Sequence, residues 1–140
     1  MEITNTQSEL VVLISKLNSR LTKNVEGQLN FHGISFTEYL VLRALHKSPK
    51  KILRRIDLAE AVGLSASGVT RLIAPMEKIK LVEKEANPRD VRVSLVKLSK
   101  TGKQIYQEAS VSFEHSAAFI NERLSDKQLN SLLELINKLI

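Results

Sequence analysis

The stretch Asp57-Leu58-Ala59-Glu60-Ala61-Val62-Gly63-Leu64-Ser65-Ala66-Ser67-Gly68-Val69-Thr70-Arg71 decides the fold. Residues Arg55 to Val62 read as a short helix closed by Gly63, because glycine takes the left-handed conformation after a helix end without steric cost. Ser65 follows as a cap for a second helix, Ala66 to about Lys80. Helices joined by so tight a turn must pack nearly at right angles. Ala59 is small where they would approach, and Leu58, Val62, Leu64 and Val69 are expected to fill the wedge. On the second helix the spacing of Val69, Leu72, Ile73, Met76 and Ile79 predicts a buried stripe, with Ser67, Thr70, Arg71, Ala74 and Lys78 opposite. This is the helix-turn-helix arrangement, whose second helix enters the major groove of DNA.

The residue types suit a groove. The first turns of such a helix must be narrow and polar, able to bond phosphates and base edges, and Ser65, Ser67, Gly68, Thr70 and Arg71 meet that need. Arg71 could fork onto a guanine or grip a phosphate. Pro75 removes the helical bond to the carbonyl of Arg71 and is expected to bend the axis there. A helical hairpin inside an ordinary core is the competing reading of the whole motif.

Downstream, Leu81–Ala86 and Val91–Leu98 read as two strands around the turn formers Asn87-Pro88-Arg89-Asp90. They make a wing, from which Lys84, Arg89 and Arg92 can reach phosphates, with Arg89 at the tip. Asp90 stands two residues before Arg92, so a local ion pair shaping the wing is expected, an architectural rather than a chemical role. Upstream, Leu10, Leu13, Ile14, Leu17, Leu21, Val25 and Leu29 mark a long amphipathic helix. Ser35 and Glu38 form a capping-box pair for a second one, which ends at Ser48-Pro49, and Ile52-Leu53 suffice only for a short strand. Ser99 caps a further long helix, and Ser125 caps a last one through Leu129, Leu132, Leu133, Ile136 and Leu139.

Charge singles out the same region. The net charge is +6, yet residues 50–103 carry thirteen Lys/Arg against six Asp/Glu, so the flanks together are slightly acidic. That asymmetry points to a polyanion partner, against the plainer reading of a solvated basic face. The absence of cysteine excludes disulfides, thiolate metal sites and thiol redox sensing. No apolar run reaches the roughly 20 residues that span a bilayer, and the N-terminus lacks a basic leader, so a cytoplasmic protein is expected. His32, His46 and His115 lack metal-ligand spacing, so no metal and no cofactor is expected. There is no glycine-rich phosphate loop, nucleophile elbow or carboxylate cluster around a histidine, which argues against an enzyme.

Three features together make the sequence resemble the MarR family of bacterial transcription regulators. They are Asp57-Leu58-Ala59…Val62-Gly63-Leu64-Ser65…Val69-Thr70-Arg71-Leu72, then Met76-Glu77…Leu81-Val82-Glu83 leading to Asn87-Pro88-Arg89-Asp90-Val91-Arg92, then Val93 to Gly102 as the passage from wing to helix. The resemblance covers nearly the whole chain. Its implication is a mainly α fold with a small β-hairpin: one winged helix-turn-helix domain over 1–140, with dimerisation helices at 5–34 and 100–140. The DNA-binding lobe would be 35–99, with the wing at 81–98.

It further implies a homodimer on a pseudopalindromic operator in double-stranded DNA, for which the crowded Leu129, Leu132, Leu133, Ile136, Leu139 and Ile140 give independent support. Relatives often release DNA when a small aromatic ligand binds, and Phe31, His32, Phe36, Tyr39, Arg43 and His46 would lie near such a pocket. A sequence-specific regulator, most often a repressor in this family, is therefore expected. The alternative is a non-specific architectural DNA binder.

Overall fold

In the computed structural model the backbone is described for residues 2–140, and the side chains for all of these except 2–4 and 121. The elements run α1 (Glu2–Leu29), a 3-10 turn (Asn30–His32), α2 (Phe36–Lys47), β1 (Ile52–Arg54), α3 (Arg55–Val62), α4 (Ala66–Lys78), β2 (Val82–Ala86), β3 (Ser94–Leu98), α5 (Lys100–Asn121) and α6 (Asp126–Leu139). Contacts group the chain into two compact units. One is residues 29–110, and the other joins the residues before 29 to those from 111 onward.

Local chemistry sets most of the boundaries in the first unit. Ser35 and Glu38 form a reciprocal capping box at the start of α2: the Ser35 Oγ accepts from the Glu38 N–H at 3.1 Å, and a Glu38 carboxylate oxygen accepts from the Ser35 N–H at 2.7 Å. Gly63 ends α3 at φ 70°, and the next amide, of Leu64, donates back to the Ala59 carbonyl at 2.9 Å. The core of this unit is Tyr39, Val41, Leu42 and Leu45 of α2, Leu58 and Ala59 of α3, Val69, Ile73 and Met76 of α4, and Leu81, Val82, Val96 and Leu98 from the sheet. Burying each large aliphatic side chain contributes about 1.5–3 kcal/mol, so this wedge between helices and sheet dominates the unit's stability.

Three strands, rather than a hairpin alone, form the sheet, in the order β1-β3-β2 with both pairings antiparallel. Leu53 pairs with Val96 on the face that meets the helices, and Ile52 with Lys97 on the other. The second wing strand begins at Ser94, three residues later than Val91. Asp90 is the reason: its carboxylate accepts the Arg92 N–H at 3.0 Å, holding in a turn the segment that would otherwise join the ladder. Val91 is accordingly 91% exposed.

Two expected wedge or stripe residues also face solvent. Leu64 lies just beyond the left-handed Gly63 and turns outward, and Ile79 lies past the end of α4, where Lys80 reverses the chain at φ 65°. Helix α4 itself runs through Pro75 to Lys78.

In the second unit α6 starts with another capping box, Ser125 with Gln128. Leu10, Leu13, Ile14 and Leu17 on α1 are about half exposed, and so are Leu133, Leu135 and Ile136 on α6. Such rows of aliphatic side chains at helical spacing are apolar faces that nothing within the described residues of the chain covers.

Candidate nucleic-acid interface

Helix α4 is held by its apolar stripe and offers its polar side outward. Val69, Ile73 and Met76 are fully buried, whereas Ser67, Thr70 and Arg71 are exposed. Ser65 is the N-cap: its Oγ accepts from the Gly68 N–H at 3.1 Å and lies 3.3 Å from the Ser67 Oγ. That bond fixes the first turn and leaves the other initial amides pointing outward, with the positive end of the helix dipole behind them. No acidic side chain stands in the first turn to oppose an incoming phosphate. Thr70, exposed like Arg71, donates its hydroxyl to the Ala66 carbonyl at 3.2 Å. Gly68 is half-buried against the cap; a Cβ there would come 3.2 Å from the Ser65 Oγ.

Two side-chain turns in succession shape the wing tip. The Asn87 Oδ1 accepts the Arg89 N–H at 3.0 Å, and the Asp90 Oδ1 accepts the Arg92 N–H at 3.0 Å. The expected Asp90–Arg92 ion pair is present, with Nε to Oδ1 at 3.2 Å and Nη2 to Oδ2 at 3.4 Å. The hydrogen bonds from the Arg92 side chain, and then from its backbone, hold the Asp90 carboxyl below the usual carboxylate range. Arg89 and Lys84 are exposed on the wing. Lys84 stands on β2 opposite Val96.

One residue that ties these parts together is not visible in the sequence. Arg55, the first residue of α3, directs its Nη2 to the Glu77 carboxylate of α4 and its Nε to the Ser94 hydroxyl at the head of β3, each at 3.4 Å. A single guanidinium thus links the helix that carries Arg71 to the strand that returns from the wing. Its partners lie 22 and 39 residues away, beyond any local spacing rule.

The six residues expected near an effector differ widely in exposure. Tyr39 is 2% exposed and belongs to the core, its ring stacked 5.3 Å from Tyr106 and its hydroxyl 3.0 Å from the Ser110 Oγ. The His46 ring also packs on Tyr106, with centroids 4.7 Å apart. Phe31 is 87% exposed in the 3-10 turn, Arg43 is exposed on α2, and His32 and Phe36 are partly exposed. Tyr106, which joins two of the six, lies on α5 and was not among the expected residues.

Burial, reinforced by the charges of Lys51 and Lys103, pushes the His46 imidazole below its ordinary pKa. Its Nδ1 is buried without a hydrogen-bond partner among the described residues. The folded state therefore holds off a proton that the unfolded chain accepts near pH 6.5, so this contribution to stability is intact above about that pH and is lost as pH falls below it. Thermal melts between about pH 7.5 and 5 should show the midpoint falling with acid, and His46→Gln should make that fall shallower. An equal acid sensitivity in the variant would remove His46 as its cause.

The family model for the MarR family matches residues 32–92, which takes in α2, the helix-turn-helix and the wing turn. Among curated relatives, the HTH-type transcriptional regulator YhbI of Bacillus subtilis (strain 168), itself uncharacterized, is 26% identical over 117 residues, 84% of this chain and 75% of that protein. Among solved structures, Sco3205, a MarR family transcriptional regulator from Streptomyces coelicolor in complex with DNA, superimposes with a TM-score of 0.85 at 24% identity. That match covers 94% of this chain and 86% of the other. A mutant MarR from E. coli complexed with operator DNA gives a TM-score of 0.88 at 20% identity over 97% and 96% of the two chains. At these identities the structural matches establish the winged-helix fold. No described helix is long and apolar enough to cross a membrane.

Proposed function

We propose that this chain, which belongs to the MarR family of transcriptional regulators, is a sequence-specific repressor that binds a pseudopalindromic operator as a homodimer. The observation that carries the reading is α4: a helix pinned by Val69, Ile73 and Met76 whose other side presents Ser67, Thr70 and Arg71 to solvent. A helix so held can enter the major groove while Arg89 and Lys84 on the wing approach the backbone or minor groove beside it. The DNA complexes of Sco3205 and of the E. coli MarR mutant, which share the fold, support this use of the face. The uncovered apolar faces of α1 and α6 support the homodimer. A DNA partner puts the proposed place of action in the cytoplasm.

The residues assigned to the interface are Ser65, Ser67, Gly68, Thr70, Arg71, Lys84, Arg89 and Arg92, with Asp90 shaping the wing. Ser65 acts through the cap it forms, and Arg92 carries its charge on the wing while bonded to Asp90. A small aromatic or other ligand, bound near Phe31, His32, Phe36, Tyr39, Arg43 and His46, would release the protein from DNA.

Selection of bound fragments from the source genome, followed by competition with random duplex, tests the proposal. A preference for the selected site of on the order of 10³ or more is expected. Equal affinity for both would establish a non-specific architectural binder instead. On the selected site, Arg71→Ala should weaken binding by about 1–3 kcal/mol and relax preference at one base pair. A uniform loss across sequences would make Arg71 a phosphate contact. Arg89→Ala should reduce the slope of log affinity against log salt by about one. An unchanged slope would take Arg89 out of the interface.

A further inference from the structure

A second concave site lies on the sheet, away from α4. It is a cleft of about 660 Å³ at the β1 edge, walled by Ile52, Leu53, Leu95 and Pro88. None of the six expected effector residues lines it. Its volume falls within the range of small-molecule sites, and such sites combine apolar walls with few polar groups.

Glu85 supplies the polar group. It stands on β2 directly opposite Leu95, on the sheet face that Arg54 and Leu95 share. Its Oε2 is buried and has no hydrogen-bond partner among the described residues. A carboxylate oxygen removed from water without a donor is costly, so the position favours an arriving N–H group.

Arg54, a cation of the cleft wall, does not supply it. Arg54 gives its Nε and Nη2 to the two Asp57 carboxylate oxygens, at 2.9 and 3.2 Å, and the two charges cancel. Lys50 lies exposed at the rim. A carboxylate without a donor, lining a cleft with apolar walls, is complementary to a cationic nitrogen carried on a flat apolar body.

We propose that this cleft binds a small organic cation, an amine or amidine attached to an apolar ring, through a charge-assisted hydrogen bond to Glu85. The walls would take the ring and Glu85 the charged nitrogen. Because Glu85 and Pro88 stand at the start of the wing turn, an occupant would also brace the segment that leads to Arg89. That consequence, unlike the site itself, rests on the DNA-binding reading.

Titration of the full-length protein with benzamidine in the absence of DNA, followed by amide chemical shifts and calorimetry, tests the site alone. Saturable binding with shifts centred on Ile52, Glu85 and Leu95 is expected. Glu85→Gln should weaken it by roughly tenfold or more, the loss expected when a hydrogen bond to a charged group becomes a neutral one. Glu83→Gln, two residues away on the same strand and exposed, should leave affinity unchanged. Phenylacetate, a flat ring with the opposite charge, should not bind there. Absence of saturable binding, shifts elsewhere, equal affinity in Glu85→Gln, or equal binding of phenylacetate would each overturn the proposal without bearing on operator recognition.

Discussion

Gly102→Ala should destabilise the folded protein by roughly 2–4 kcal/mol, and lower its Tm by about 8–12 °C, although it adds one methyl group to a helix. A Cβ at Gly102 would lie 2.0 Å from the Leu81 carbonyl oxygen and 3.0 Å from that carbonyl carbon. Both are backbone atoms, so no rotamer change relieves the clash. The contact is also anchored. The Ser99 hydroxyl lies 2.6 Å from the Lys80 carbonyl and 2.8 Å from the Leu81 carbonyl, donating to that pair, and accepts the Gly102 N–H at 2.9 Å. The first turn of α5 thus rests directly on the entrance to β2, and any shift must move the wing with it.

Gly27 in α1 is the control, because a Cβ there meets nothing within 4 Å. Gly27→Ala should stabilise by about 0.5–1 kcal/mol through helix propensity. Thermal or denaturant unfolding of the two variants distinguishes packing from propensity. Equal stabilisation by both would show that α5 does not approach Leu81 as described.

The second large effect is expected from Leu132→Glu combined with Ile136→Glu on α6. These residues are 38% and 44% exposed and lie one turn apart on the same helix face. Two carboxylates there would have to be desolvated in any interface formed by that face, yet cost little in an isolated chain. The double variant should sediment as a folded monomer. It should also lose about 10²–10⁴-fold in operator affinity, because the second half-site is no longer engaged at high effective concentration. A variant that remains dimeric, or a monomer that binds the full operator as tightly as the parent, would remove α6 from the proposed interface.

How much of this was legible in the sequence follows from the range of each interaction. Ser35 with Glu38, Gly63, Ser65 and Ser125 with Gln128 act within a turn of the backbone, and the boundaries of α2, α3, α4 and α6 were readable from them. Asp90 with Arg92 is equally local, and its geometry agrees with the expectation. The start of the second wing strand falls later than expected because alternation at Val91 and Val93 suggests a strand, whereas the Asp90 carboxylate captures the Arg92 amide and keeps those residues in the turn.

The rest depends on residues far apart in the chain. The third strand forms because Ile52–Arg54 finds β3 more than forty residues later. Nothing beside Gly102 indicates that Leu81 will lie against it, and a glycine early in a helix reads only as a weak helix former. Arg55 looks like one basic residue among many until Glu77 and Ser94 are brought to it. For the same reason the packing of Tyr39 and His46 on Tyr106 emerges only once α5 is in place.

Dimethyl sulfate footprinting on the selected operator tests most directly whether α4 lies against base pairs, because the reagent reports on guanine N7 in the major groove. Two clusters of protected guanines about 10–10.5 base pairs apart are expected, one for each copy of α4. Protection confined to one cluster, or intact guanine reactivity across a fully bound operator, would contradict it.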